Sequence, residues 1–186
     1  EQYGSRPNKC AIVHAIHKRL MYDILRQMKQ PGALCSNDAK SCYDRVVHSI
    51  ACMAYKRLGI PEPPVISMLT TIKNMRHHIR TNYGDSTFFM DNNGSLRPFQ
   101  GILQGNGAAP TTWVVISAVL IQMLKEAGNG GFFKEPIAGL SYHITGFAFV
   151  DDTDLIALNM RDHNITEWEV HEEMQECINC WQGGLW

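Results

Sequence analysis

The chain has 186 residues, 45% of them hydrophobic, enough to bury one real core and no more than one domain or a large part of one. No apolar run follows a basic start in residues 1–9, which argues against a secretory signal there. The most apolar stretch, Trp113 to Leu124, carries Ser117 and Gln122 and is too short for a membrane span. The formal net charge of −1 hides an asymmetry: residues 1–83 hold 13 Lys/Arg against 5 Asp/Glu, and residues 84–186 hold 4 against 13. A basic front half suits polyanion contact and an acidic back half suits metal binding, although two solvated faces of opposite sign would carry the same charges.

In chain order, Asn8 to Lys29 is predicted as a helix. Ile12, Ala15, Ile16, Leu20, Ile24 and Met28 recur at three- and four-residue spacing, with Lys18, Arg19, Arg26 and Lys29 off that stripe. His14 and His17 share the segment and are assigned to the helix surface. Gln30-Pro31-Gly32 breaks the helix, and a short strand, Ala33 to Asn37, delivers Asp38. Helices are predicted over Tyr43 to Leu58, stopped by Gly59-Ile60-Pro61, and over Pro64 to Arg80. On the second, Lys73, Arg76 and Arg80 fall near one face, read either as a nucleic-acid contact or as a solvated stripe.

Thr87 to Met90 and Leu96 to Phe99 flank Asn93-Gly94, a strong hairpin turn signal. Gly105 to Ala109 is a loop leading into a helix from Pro110 to Ala127. Gly128 to Gly131 ends that helix, and a longer loop runs to Gly146-Phe-Ala-Phe-Val-Asp151-Asp152-Thr-Asp-Leu-Ile-Ala-Leu158. That stretch reads as a hairpin with two acids at its turn. Glu167 to Gln182 closes the chain as an acidic amphipathic helix. Hairpins mixed with helices in this order predict an antiparallel sheet covered by helices, hence α+β.

Six cysteines without a paired framework favour a reducing, intracellular compartment, nucleus or cytoplasm. Cys177-x-x-Cys180 lacks the second pair that a zinc site needs. Asn93-Gly-Ser95 and Asn164-Ile-Thr166 match the glycosylation acceptor pattern without a secretory context. Gly105-x-Gly107 mimics half of a dinucleotide fingerprint, but Pro110 replaces the third glycine and no strand runs into it.

Three pieces bear on one another. Asn37-Asp38-Ala39-Lys40-Ser41-Cys42-Tyr43-Asp44 places an acid at a strand end with an aromatic five residues on. Gln100-Gly-Ile-Leu-Gln104-Gly105-Asn-Gly-Ala-Ala-Pro110 is a glycine-rich loop opening a helix. The acidic hairpin is the third. In order and spacing they resemble the A, B and C motifs of the reverse transcriptase palm. Gln2-Tyr3-Gly4-Ser5-Arg6 and the helix after it resemble the element that precedes the A motif in retroelement enzymes, and the resemblance as a whole is of the non-LTR retrotransposon or group II intron kind rather than retroviral. Ala109 stands where many relatives carry Ser.

The resemblance implies an RNA-directed DNA polymerase that adds dNTPs to a DNA primer on an RNA template. It implies a single core over residues 1–186, with a fingers-side helix over 1–32 and the palm over 33–186. The remaining fingers and the thumb would lie outside the chain, as a start at Glu1 rather than Met also suggests. It further implies two Mg²⁺ ions, or Mn²⁺, held by Asp38, Asp151 and the carbonyl of Ala39, with Asp152 as the less direct acid. Ser41 and Cys42 would cradle the triphosphate by their amides, Tyr43 would exclude a 2′-hydroxyl, and Gln104 and Gly105 would approach the nascent base pair. Asp44 and Asp154 are read as helix-start and turn acids. Three other readings compete: a catalytically inactive palm serving as an RNA-binding scaffold, an RNA-dependent RNA polymerase palm, and a metal-dependent hydrolase.

Overall fold

The computed structural model describes residues 2–91, 100–134, 137–159 and 165–185. The Asn93-Gly94 hairpin and both glycosylation-like sites fall at least partly outside them. Residues 1–40 with 116–186 form one compact unit, and residues 41–115 form another.

The first unit is built on the apolar run of the acidic hairpin. Strands β1 (Ala33–Asp38), β4 (Gly131–Lys134), β5 (Ser141–Ile144), β6 (Gly146–Phe149) and β7 (Asp152–Asn159) make one sheet. β7 is its centre, antiparallel to β1 on one side, while β6 and then β4 share the other. Leu155, Ile156, Ala157 and Leu158 are all buried, as a strand covered on both faces requires. Helix α5 (Glu167–Leu185) packs against β7 and β1, using Val170, Met174, Cys177 and Trp181 at helical spacing. Burial there, with Cys180 and Cys35 nearby, pushes the Cys177 thiol up to about 11, so it stays protonated and inert. No helix among the described residues is long and apolar enough to cross a membrane.

Helix α1 (Ala11–Met28) lies on β6 and supplies Met21 and Leu25 to a cluster with Tyr3, Phe147, Ile156 and Leu158. The predicted apolar stripe is not its buried face. Ile12, Ile16, Leu20, Ile24 and Met28 are exposed, and the inward line is His14, Met21 and Leu25, with Lys18 part-buried between them. The reason is Asp154, which sits inside the sheet unit, 4% exposed. Lys18 Nζ donates to it at 2.8 Å, His14 Nε2 at 3.0 Å, and the Ser36 hydroxyl closes on it as well. A buried carboxylate must be paired, and this pairing turns the helix. Asp154 is therefore no turn acid, and His14 is no surface histidine.

In the second unit the predicted helix from Tyr43 splits. Cys42–Arg45 makes one 3₁₀ turn, Val46 and Val47 are extended as β-branched residues favour, and α2 runs His48–Arg57. Helix α3 (Glu62–Lys73) packs on α2 and stops well before Arg80. Residues His77–Thr81 form β2, paired with β3 (Gly84–Met90) around Asn82-Tyr83. Arg80 now pairs with Asp85 at 2.7 Å, and Arg76 stacks over Phe89, so the basic helical stripe does not exist. Helix α4 (Ala109–Glu126) begins in this unit and ends in the other. The loop predicted after it contains the β4–β5 hairpin.

Burial raises the pKa of Asp154, but the bonds from Lys18, Ser36 and His14 outweigh it, and the net value lies below the ordinary 3.8. Its contribution to stability is thus complete above the unfolded value and drains away as pH falls through the depressed folded one. Asp154→Ala should cost about 2–3 kcal/mol in urea unfolding near pH 7. The difference from wild type should shrink below about pH 4. A variant as stable as wild type at neutral pH would contradict the pairing.

Candidate active site

An antiparallel register decides where the acids meet. Ala33 lies opposite Ala157, and the ladder runs without a bulge to Asp38 opposite Asp152. Side chains alternate along both strands, so Asp38, Ser36 and Leu34 share a face with Asp152, Asp154 and Ile156. Directly opposed residues of an antiparallel pair lie roughly 4.5–5.5 Å apart at Cα. Two like charges so placed repel, and a cation beside them relieves the repulsion. Asp38 and Asp152 are exposed and Asp151 is half-buried. Among the described residues, no Lys or Arg forms an ion pair with any of the three.

Phe149 pairs with Asp152, leaving Val150 and Asp151 as a two-residue hairpin loop. Val150 has φ +58° and Asp151 does not share a positive φ, the pattern of a type II′ loop whose first position normally holds glycine. A β-branched residue there is strained by about 1–3 kcal/mol. A cleft of ≈430 Å³ opens beside this end of the sheet, lined by His14, Lys18, Asn37, Asp38, Asp152 and Asp154 among others. A larger cleft near Gly32 and Glu167 holds none of the motif residues.

The donor set is hard oxygen, which suits Mg²⁺ or Mn²⁺. Among the described residues no three His, Cys, Asp or Glu side chains converge to hold an ion unaided.

The A and B pieces are joined in the second unit by backbone. Ile102 N–H donates to the Tyr43 carbonyl at 2.8 Å, and Gly101 N–H to Val46 at 2.9 Å. His48 Nε2 donates to the Gly101 carbonyl at 2.8 Å. Tyr43 is half-buried, Cys42 is buried, and Ser41 is exposed with φ +53°. Gln104 and Gly105 stand exposed at the tip of the loop, and the Asn106 side chain accepts from Ala108 N–H where α4 begins. Ala39, half-buried, follows β1 directly.

The model of the reverse transcriptase (RNA-dependent DNA polymerase) family matches residues 1–182. The chain belongs to the reverse transcriptase family. No curated protein matches it individually. Polymerase function in general follows from that membership, and the α+β architecture agrees with it.

Two residues of this reverse transcriptase escaped sequence reasoning. Asp154 looked like one more acid of the turn, and only β alternation from Asp152 could have placed it facing inward. Gly101 reads in the sequence only as part of a glycine-rich loop opening a helix. Its φ is +97°, and a Cβ there would lie 2.6 Å from the Asp44 carbonyl oxygen. Neither obstacle is a flexible side chain, so Gly101→Ala should lower stability by about 2 kcal/mol or more. An unchanged urea midpoint would mean that the B loop does not rest on the turn after Ser41.

Proposed function

We infer that this reverse transcriptase core extends a DNA primer on an RNA template by nucleotidyl transfer from dNTPs, in an element of the non-LTR or group II intron kind. The observation that carries the reading is Asp38 opposite Asp152, with Asp151 in the adjoining loop. The element assignment rests on the resemblance of the motifs taken together.

In the reaction the primer 3′-oxygen bonds to the α-phosphorus as the bond to the β-phosphate breaks and pyrophosphate leaves. Two Mg²⁺ ions, replaceable by Mn²⁺, would supply charge neutralisation and a more acidic 3′-hydroxyl, held by Asp38, Asp151 and the Ala39 carbonyl. Asp152 adds negative charge across from Asp38 and fixes where cations collect. The amides of Ser41 and Cys42 orient the triphosphate. Tyr43, held by its backbone to Ile102, sets the floor under the sugar, where its ring meets a 2′-hydroxyl. Gln104 and Gly105 project towards the nascent base pair, and the small Gly105 admits its close approach.

Asp38→Asn and Asp151→Asn should each lower RNA-templated primer extension by at least about a hundredfold in the complete polypeptide. Full activity in either variant would overturn the reading. Extension absent from wild type together with no Mn²⁺ binding at these acids would instead favour an inactive scaffold. Tyr43→Val should raise ribonucleotide incorporation about tenfold or more relative to dNTP, measured as a ratio of kcat/KM values. An unchanged ratio would remove Tyr43 from sugar selection.

A further inference from the structure

The strained loop before the paired acids is held by one side chain far away in sequence. Gln2 is 4% exposed, and its amide makes four hydrogen bonds. Nε2 donates to the Val150 carbonyl at 3.0 Å and to Ser117 Oγ at 3.2 Å. Oε1 accepts from Val150 N–H at 3.0 Å and from Gly4 N–H at 2.9 Å. Two donors and two acceptor sites are the whole capacity of a carboxamide, so none is left over. Both main-chain groups of Val150 are thereby bonded to one planar group, which fixes the orientation of the peptide unit on each side of the residue.

The backbone around Gln2 is equally committed. Tyr3 N–H donates to the Ala148 carbonyl at 2.6 Å, and Gln2 bridges Ala148 in parallel. Gly4 makes the approach feasible, since a Cβ there would lie 2.3 Å from the Val150 nitrogen. Ser117 comes from α4, so the amide ties two chain segments, residues 2–4 and α4, to the residue that immediately precedes Asp151. A positive φ at a valine persists only where its surroundings over-determine it.

We propose that Gln2 is a positioning residue for the acidic loop: its carboxamide holds Val150 at positive φ and so aims Asp151 and Asp152. The inference rests on the polymerase reading for its consequence in catalysis, and on geometry alone for the clamp. Glutamate would keep the acceptor towards Val150 N–H and lose the donor towards its carbonyl. Methionine would match the length and lose both. Glycine at 150 adopts the conformation without help, so it should relieve the need for Gln2.

The test compares wild type, Gln2→Met, Gln2→Met/Val150→Gly and Asp151→Asn in the complete polypeptide that carries residues 1–186. Single-nucleotide extension on an RNA template is measured alongside amide hydrogen exchange at Val150 and Asp151. Gln2→Met should lower kcat about a hundredfold with KM for template–primer within about twofold. Val150→Gly in that background should restore at least about tenfold, with a urea midpoint measured beside it so that a rescue tracking regained stability alone counts against the proposal. Exchange at Val150 should quicken in Gln2→Met by about tenfold or more. If Gln2→Met does not fold, Gln2→Glu takes its place in both measurements. Wild-type kcat in the Gln2 variant, or equal losses with and without Val150→Gly, overturns the proposal while Asp151→Asn remains inactive. If wild type itself extends nothing, the polymerase reading fails, and exchange decides the clamp: unchanged protection at Val150 overturns it, and quickened exchange sustains it.

Discussion

The register between β1 and β7 is the constraint on which the site depends. Side chains alternate with a period of two, so a slip of one residue would send Asp38 to the opposite face from Asp152. The slip is prevented by what lies further along the ladder. Leu34 and Ile156 share the face that packs under α1, and Cys35 and Leu155 share the one beneath α5. Moving β7 by one residue would turn Asp154 away from His14 and Lys18 towards the apolar face beneath α5. The core thus pays for the repulsion between two opposed carboxylates.

Asp154 adds a second lock. It lies two residues beyond Asp152 on the same face, and its partners are spread over α1 and β1. The neighbouring acids in the strand therefore have different fates, set by depth. Asp152 stays exposed at the rim, free of any ion pair among the described residues, while Asp154 is neutralised within the protein. The protein's own cations are consumed one layer below the place where the family's divalent cations would bind. This arrangement leaves the rim acids without an ion pair among the described residues.

Much of this was legible in the sequence. The glycine-ended helices, the two β-favouring runs and the hairpin at Asp151-Asp152 follow from local chemistry that tertiary contacts did not override. The α1 stripe failed because a buried ion pair outweighed apolar periodicity: Ile12, Ile16 and Leu20 were abandoned to solvent so that His14 and Lys18 could reach Asp154. The helix through Arg80 failed because Asn82-Tyr83-Gly84 forms a turn whose strands pair with each other, a preference that reading residues 64–80 alone could not register. Short strands β4 and β5 were hidden because four residues bounded by glycine and proline carry little period. The acids were found by type and order. Their alignment across two strands, and the strain at Val150, are properties of the folded chain.

The most direct test of the central claim is paramagnetic broadening by Mn²⁺ of the carboxyl carbons of Asp38, Asp151 and Asp152, read by NMR with template–primer and a non-hydrolysable dNTP bound. Acids gathered by the β1–β7 register should broaden together and at the same Mn²⁺ concentration. A sharp Asp38 resonance beside broadened Asp151 and Asp152 would contradict the account, because the hairpin would then bind the ion without its partner strand.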